Sequence, residues 1–283
     1  MRWEELREEE FETAIEKSKG LCVIPLGCLE KHGQHLPVGT DYFFAEAIVY
    51  GAAEEEDVVV FPTGFWLGDV AQFRSNKCGD KCHGGFALNL KTMQRVLEEL
   101  CDNIARNGFD KILIFNIHGG SIFDCEEFIK DQERKEKPYT IYSTCGVLGA
   151  PAQPGPFIRT VTERKEDFPY ITEEDIEIMK RWEITGYQGG HANFLETAMV
   201  YCAHPDLVAP DKYEAESGIN NHRTDYMTRL GVMISNDWTA RYPNMYSGAA
   251  PHGVNANISK AMLQLHIEQA VRVFRAVKNT VIQ

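Results

Sequence analysis

The chain has 283 residues, 43% apolar and 25% charged, enough to bury a large core without disulfide staples and too apolar for a disordered protein. Its 29 basic residues against 42 acidic ones give a net charge of −13, which argues against nucleic acid or anionic lipid as a partner. No apolar run approaches the roughly 20 residues that span a bilayer.

The opening Met1-Arg2-Trp3-Glu4-Glu5-Leu6-Arg7-Glu8 is acidic and lacks the apolar core of a signal peptide. Eight cysteines scattered through the chain resemble reduced thiols more than a disulfide framework. Both features lead to a cytoplasmic expectation. Leu21 to Leu26 reads as a buried strand ending at Gly27. Asp41 to Ala53 reads as a helix with Asp41 as its N-cap. Val58 to Phe61 is a second strand, and Leu90 to Asn107 an amphipathic helix stopped by Gly108. Lys111 to Asn116 is the clearest strand, followed by a helix over Ser121 to Lys135 and a strand over Tyr139 to Tyr142.

Strands alternating with helices predict a mainly parallel sheet covered on both faces, with ligands beyond the carboxyl ends of its strands. The second half is less regular. It holds a proline-rich stretch, a charged helix over Thr172 to Trp182, a helix within His191 to Ala203 and a last helix over Ile258 to Val277. No repeat or linker is evident. One domain over 1–283 is expected, with pocket-shaping insertions near 147–190 and 211–257.

Three clusters carry chemistry. Glu30-Lys31-His32-Gly33-Gln34-His35-Leu36-Pro37-Val38-Gly39-Thr40-Asp41 follows the first strand directly. Its glycines and proline favour a loop, which can fold several ligands around one point. A polar loop with a cap at Asp41 explains the same residues. Asn116-Ile117-His118-Gly119-Gly120-Ser121 sits at the end of the clearest strand, so His118 is either structural or part of the same site. In Gly189-Gly190-His191-Ala192-Asn193-Phe194-Leu195-Glu196-Thr197, the five-residue step would separate His191 and Glu196 by about 140° on a continuous helix. They converge only if His191 lies in a loop and Glu196 in the first helical turn. Mixed carboxylates and imidazoles suit zinc, manganese or ferrous iron. Such an ion yields a nucleophilic hydroxide from water near neutral pH and polarises a carbonyl, so hydrolysis leads.

These three stretches, in this order, resemble the motifs of the creatininase (creatinine amidohydrolase) family. The resemblance implies an α/β fold, a three-layer αβα sandwich with a mainly parallel central sheet, and a metal centre cleaving non-peptide C–N bonds. By matching position it implies Glu30, His32, Asp41 and His118 as metal ligands, with Asp41 bridging. Gly120 stands where creatininase proper has a ligand glutamate, and Glu196 takes that role in double-glycine relatives. His191 matches a catalytic histidine that hands a proton to the leaving nitrogen, and Glu196 is counted with it. His35 is assigned a supporting hydrogen bond. Gly190 and the Cys82-His83-Gly84-Gly85-Phe86 segment depart from the family pattern, so creatinine is not the expected substrate.

The expectation is a metal-dependent amidohydrolase with one or two divalent ions per chain, zinc first, manganese or iron otherwise. Its substrate would be a small cyclic amide, lactam or formamide, and its assembly a homo-oligomer, hexameric by resemblance. The alternatives are a peptide-trimming maturase using the same site and a catalytically silent ligand-binding scaffold. Two lesser features are Cys78 with Cys82, as a soft metal pair, and Gly64-Phe65-Trp66-Leu67-Gly68, as a pocket or core segment.

Overall fold

The computed structural model describes residues 1–62, 83–144, 152–184, 190–235 and 237–281. The Cys78–Cys82 pair and the Gly64–Gly68 segment lie outside the described residues.

Four strands form the sheet: β1 (Leu21–Leu26), β2 (Val59–Val60), β3 (Lys111–Asn116) and β4 (Thr140–Ser143). Their order is β2-β1-β3-β4 and every pairing is parallel. β1 and β3 run in register from Leu21 beside Lys111 to Leu26 beside Asn116. Their continuous apolar runs follow from burial on both faces.

Alternation along the strands separates two cores. Cys22, Ile24, Leu26, Ile112 and Ile114 face helices α1 (Phe11–Ser18), α3 (Leu90–Arg106) and α4 (Ile122–Gln132). Leu21, Val23, Leu113 and Phe115 face the opposite side. That side carries α2 (Thr40–Glu55), α5 (Pro154–Glu163), α6 (Glu173–Ile184), α7 (Phe194–Ala203) and α10 (Ala256–Lys278). The short helices α8 (Asp225–Arg229) and α9 (Asp237–Arg241) precede α10. Helices on both faces of the parallel sheet make the αβα sandwich. α2 and α10 lie against the sheet, and α7 packs on both of them. No helix among the described residues is long and apolar enough to cross a membrane.

The helix after the first motif differs from its expectation in one functional detail. Asp41 is not the N-cap. The Phe43 amide donates to the Gly39 carbonyl at 2.9 Å, and the helix begins at Thr40. The turn from Pro37 starts the helix before Asp41, so its carboxylate is free to face the sheet edge. The helix after β3, Ile122–Gln132, is shorter than expected at both ends: Gly119–Ser121 forms a separate 3-10 turn before it, and Arg134 and Lys135 donate to carbonyls three residues back beyond its end. α1 and α5 lie in stretches that did not read as helices.

Candidate metal centre

The carboxyl ends of β1 and β3 are neighbours, so the segments that leave them start side by side. Gly27 ends β1 against the first turn of α2. A Cβ there would lie 2.6 Å from the Tyr42 nitrogen and 2.7 Å from the Asp41 carbonyl. The missing side chain therefore lets Asp41 approach the strand end. On β3, the Asn116 side chain accepts from the His118 amide at 3.1 Å and donates to the His118 carbonyl at 3.0 Å. The His118 Nδ1 lies 2.9 Å from Ser121 Oγ, which orients the ring with Nε2 inward.

The third motif arrives at the N-terminus of α7. Asn193 caps that helix, its Oδ1 accepting from Leu195 at 3.1 Å and Glu196 at 3.3 Å. His191 lies in the preceding loop, where it pairs through its backbone with Ser247. This is the arrangement that the His191–Glu196 spacing required. His35 lies apart from the cluster. Its Nε2 is 2.9 Å from the Ala192 carbonyl, and Ala192 has φ +56°, so His35 supports an uncommon backbone turn between the two site residues.

All six residues assigned from sequence meet at one buried point. His118 Nε2 lies 3.2 Å and His191 Nδ1 3.3 Å from Glu30 Oε1. His32 Nε2 lies 3.6 Å from Asp41 Oδ1 and 3.5 Å from Glu196 Oε2. The His32 and His191 rings stack at 4.1 Å. The Ala192 amide donates to Glu196 Oε2. The His32 side chain is 0% exposed and those of Glu30 and Asp41 are 3% exposed.

Burial and close charge divide the protons among these groups. For His32, burial opposes the charge, but Asp41 and Glu196 outweigh it and push the imidazole up to about 10. His118 goes up to about 9 because Glu30 overcomes the same burial. Burial works against the Glu30 carboxylate, yet His191 and His118 hold it below its usual range. The Asp41 carboxylate is likewise held low by His32 against its own burial. Burial pushes Glu196 up to about 8, with Asp41 adding to it and His32 opposing it. Burial and then the His32 charge lower His191 to about 4. Without a cation, the cluster balances its carboxylates with protons on His32, His118 and Glu196.

These residues fit a divalent metal. The His32 Nε2 is buried and has no hydrogen-bond partner, although it faces two carboxylates. Buried polar atoms are rarely left so. Three overlapping groups bring their donor atoms within 4.8 Å: Cys28, Glu30, Asp41 and His118; Glu30, His32 and His191; His32, Asp41 and Glu196. Carboxylate oxygen with imidazole nitrogen is the donor set of zinc and manganese sites.

Two residues that sequence reasoning passed over join the site. Cys28 Sγ donates to Asp41 Oδ2 at 3.0 Å, and burial, then Asp41, push its thiol well up. The signal was present, since Cys28 lies two residues before Glu30 in the same motif. Trp238 on α9 meets the His191 ring edge-on at 5.2 Å. The 211–257 segment is expected to shape the pocket, but nothing in the residues around Trp238 singles it out.

Sandwich and site together define an α/β protein with a buried carboxylate and imidazole cluster whose donor atoms could hold a metal ion. The chain belongs to the Creatininase family, described as creatinine amidohydrolase, which matches residues 4–274. Members of this family are metal-dependent amidohydrolases. A creatinine amidohydrolase of Pseudomonas putida is 24% identical over 209 residues, 74% of each chain. A putative creatinine amidohydrolase of Bacteroides fragilis has the same fold, with TM-score 0.67 and 18% identity over 93% of this chain and 92% of the other. A manganese form of creatininase and a Zn-Zn form of a creatininase mutant both have TM-scores of 0.65 at 16% identity. The manganese form is covered over 99% of both chains, and the Zn-Zn form over 99% of this chain and 98% of the other.

Proposed function

We propose that this protein hydrolyses a non-peptide C–N bond in a small cyclic amide, lactam or formamide, using one or two divalent ions. The observation that carries this reading is the buried His32 Nε2, without a hydrogen-bond partner and facing Asp41 and Glu196. Glu30, His32, Asp41, His118 and Glu196 would hold the metal, with zinc or manganese favoured by donor type and iron third. When bound, such an ion acidifies water and polarises a carbonyl oxygen.

The chain's own residues supply the rest. Lys31 offers its carbonyl to His191 Nε2 at 2.8 Å, which leaves Nδ1 facing Glu30 and the centre. Burial keeps His191 neutral at neutral pH, so Nδ1 is free to take a proton from the attacking water and return it to the leaving nitrogen. The Ala192 amide holds Glu196 in place, and Trp238 packs edge-on against the His191 ring. Self-association belongs to the same reading and is tested by sedimentation of the untagged protein.

Metal content by elemental mass spectrometry, with turnover on a panel of cyclic amides and formamides, tests the proposal. Glu30→Gln and His118→Ala should each lose bound metal and abolish turnover. Full metal retention and activity in both variants would overturn it.

A further inference from the structure

We propose that Cys28 is a sulfur ligand of this centre, which makes the Cys28, Glu30, Asp41 and His118 side a site for a thiophilic divalent ion such as zinc or cadmium. The inference rests on the metal-centre reading above. Three geometric observations carry it.

First, the thiol is inside the cluster. Its Sγ lies 3.0 Å from Asp41 Oδ2, and its donor atom shares the 4.8 Å group with those of Glu30, Asp41 and His118. All four residues are buried. One sulfur, two carboxylates and one imidazole make a four-donor set of the kind zinc takes. A hard ion prefers oxygen throughout.

Second, the far side of the same aspartate is different. Asp41 Oδ1 faces His32 Nε2, the buried nitrogen without a hydrogen-bond partner. The group on that side is His32, Asp41 and Glu196, with no sulfur. Asp41 thus stands between a softer and a harder set of donors.

Third, the backbone holds the sulfur in position. Cys28 follows Gly27, whose lack of a Cβ allows the strand end to lie on the first turn of α2. Cys22, Cys101 and Cys125 are buried as well, yet among the described residues only Cys28 belongs to a possible ligand group.

Ligation needs no redox partner. The S–H bond breaks, its electron pair stays on Sγ and is donated to the ion, and the proton passes to the buffer.

Cobalt(II) substitution tests the proposal by absorption spectroscopy. Visible ligand-field bands report an ion bound at the centre, while a near-ultraviolet sulfur-to-cobalt charge-transfer band reports thiolate ligation. The metal-stripped wild-type chain loaded with cobalt(II) should show both. Cys28→Ser keeps a hydroxyl donor toward Asp41, so it should keep the visible bands and lose the charge-transfer band. Cys28→Ala provides the same comparison should the serine variant not fold.

Visible bands without a charge-transfer band in the wild type would overturn the sulfur ligand and leave the metal centre standing. A charge-transfer band that survives in both variants would also overturn it, by assigning the sulfur to another cysteine. Failure of the wild type to take up any cobalt would overturn the metal-centre reading itself and this inference with it.

Discussion

Asp41 offers its two oxygens to different partners, the Cys28 thiol at 3.0 Å and the His32 imidazole at 3.6 Å. In the metal-free chain, protons on His32 and His118 partly take the place of a cation. Their folded values of about 10 and 9 lie above the ordinary 6.5. That stabilisation is complete below pH 6.5 and is lost as pH rises through the folded values. Glu196, near 8 against an ordinary 4.5, acts in the same direction between those values. The chelated protein should therefore unfold at lower urea concentration at pH 10 than at pH 7. A metal-loaded sample should lose much of this dependence, because the ion replaces the protons. Equal urea midpoints for the chelated protein at the two pH values would remove this electrostatic account.

At the scale of elements, the contact between β1 and α2 sets the position of the first motif. Gly27 has no room for a Cβ beside the Tyr42 nitrogen and the Asp41 carbonyl. Gly27→Ala should push the strand end from the helix, destabilise the fold by about 1–3 kcal/mol and reduce bound metal. Urea unfolding and metal content measure both effects, and wild-type values for each would show that the close approach is dispensable. Legibility also varied by element. β3 spans Lys111–Asn116 as the apolar run indicates, since burial on both faces leaves an unbroken signal. The start of α2 was not legible. Asp41 suits a cap by residue type, and only the hydrogen bond to Gly39 shows where the helix begins. α1 is only eight residues long, Phe11–Ser18, so its apolar face of Phe11, Ala14 and Ile15 spans little more than two turns and gives a short signal.

At the scale of the whole molecule, the site draws on segments that lie far apart in the chain. β1 and β3 deliver Glu30, His32 and His118 because they are neighbours in the sheet. α2 carries Asp41, and α7 brings Glu196 by packing on α2 and α10. An ion held by all of these should tie the layers together. Chelation should lower the thermal midpoint, and zinc or manganese restored in excess should raise it again. A ligand at 100 times its Kd stabilises by about 2.7 kcal/mol. Thermal scans with chelator and with each metal measure this, and identical midpoints would argue against an ion bridging the layers.

The sequence by itself determined the parallel α/β sandwich, since strand and helix periods alternate along the first half. The three motifs and their order are local properties of the chain, and their resemblance to the family's motifs is what implied the six residues that meet at the site. Only the tertiary structure decided that Asp41 faces inward rather than capping its helix, that His35 supports Ala192 and that Trp238 borders His191. It alone brought Cys28 into the ligand cluster. Those outcomes depend on how the strand end, the α2 turn and the 211–257 segment pack in space. Linear spacing carries no record of a contact such as that of His35 with Ala192, 157 residues apart in the chain.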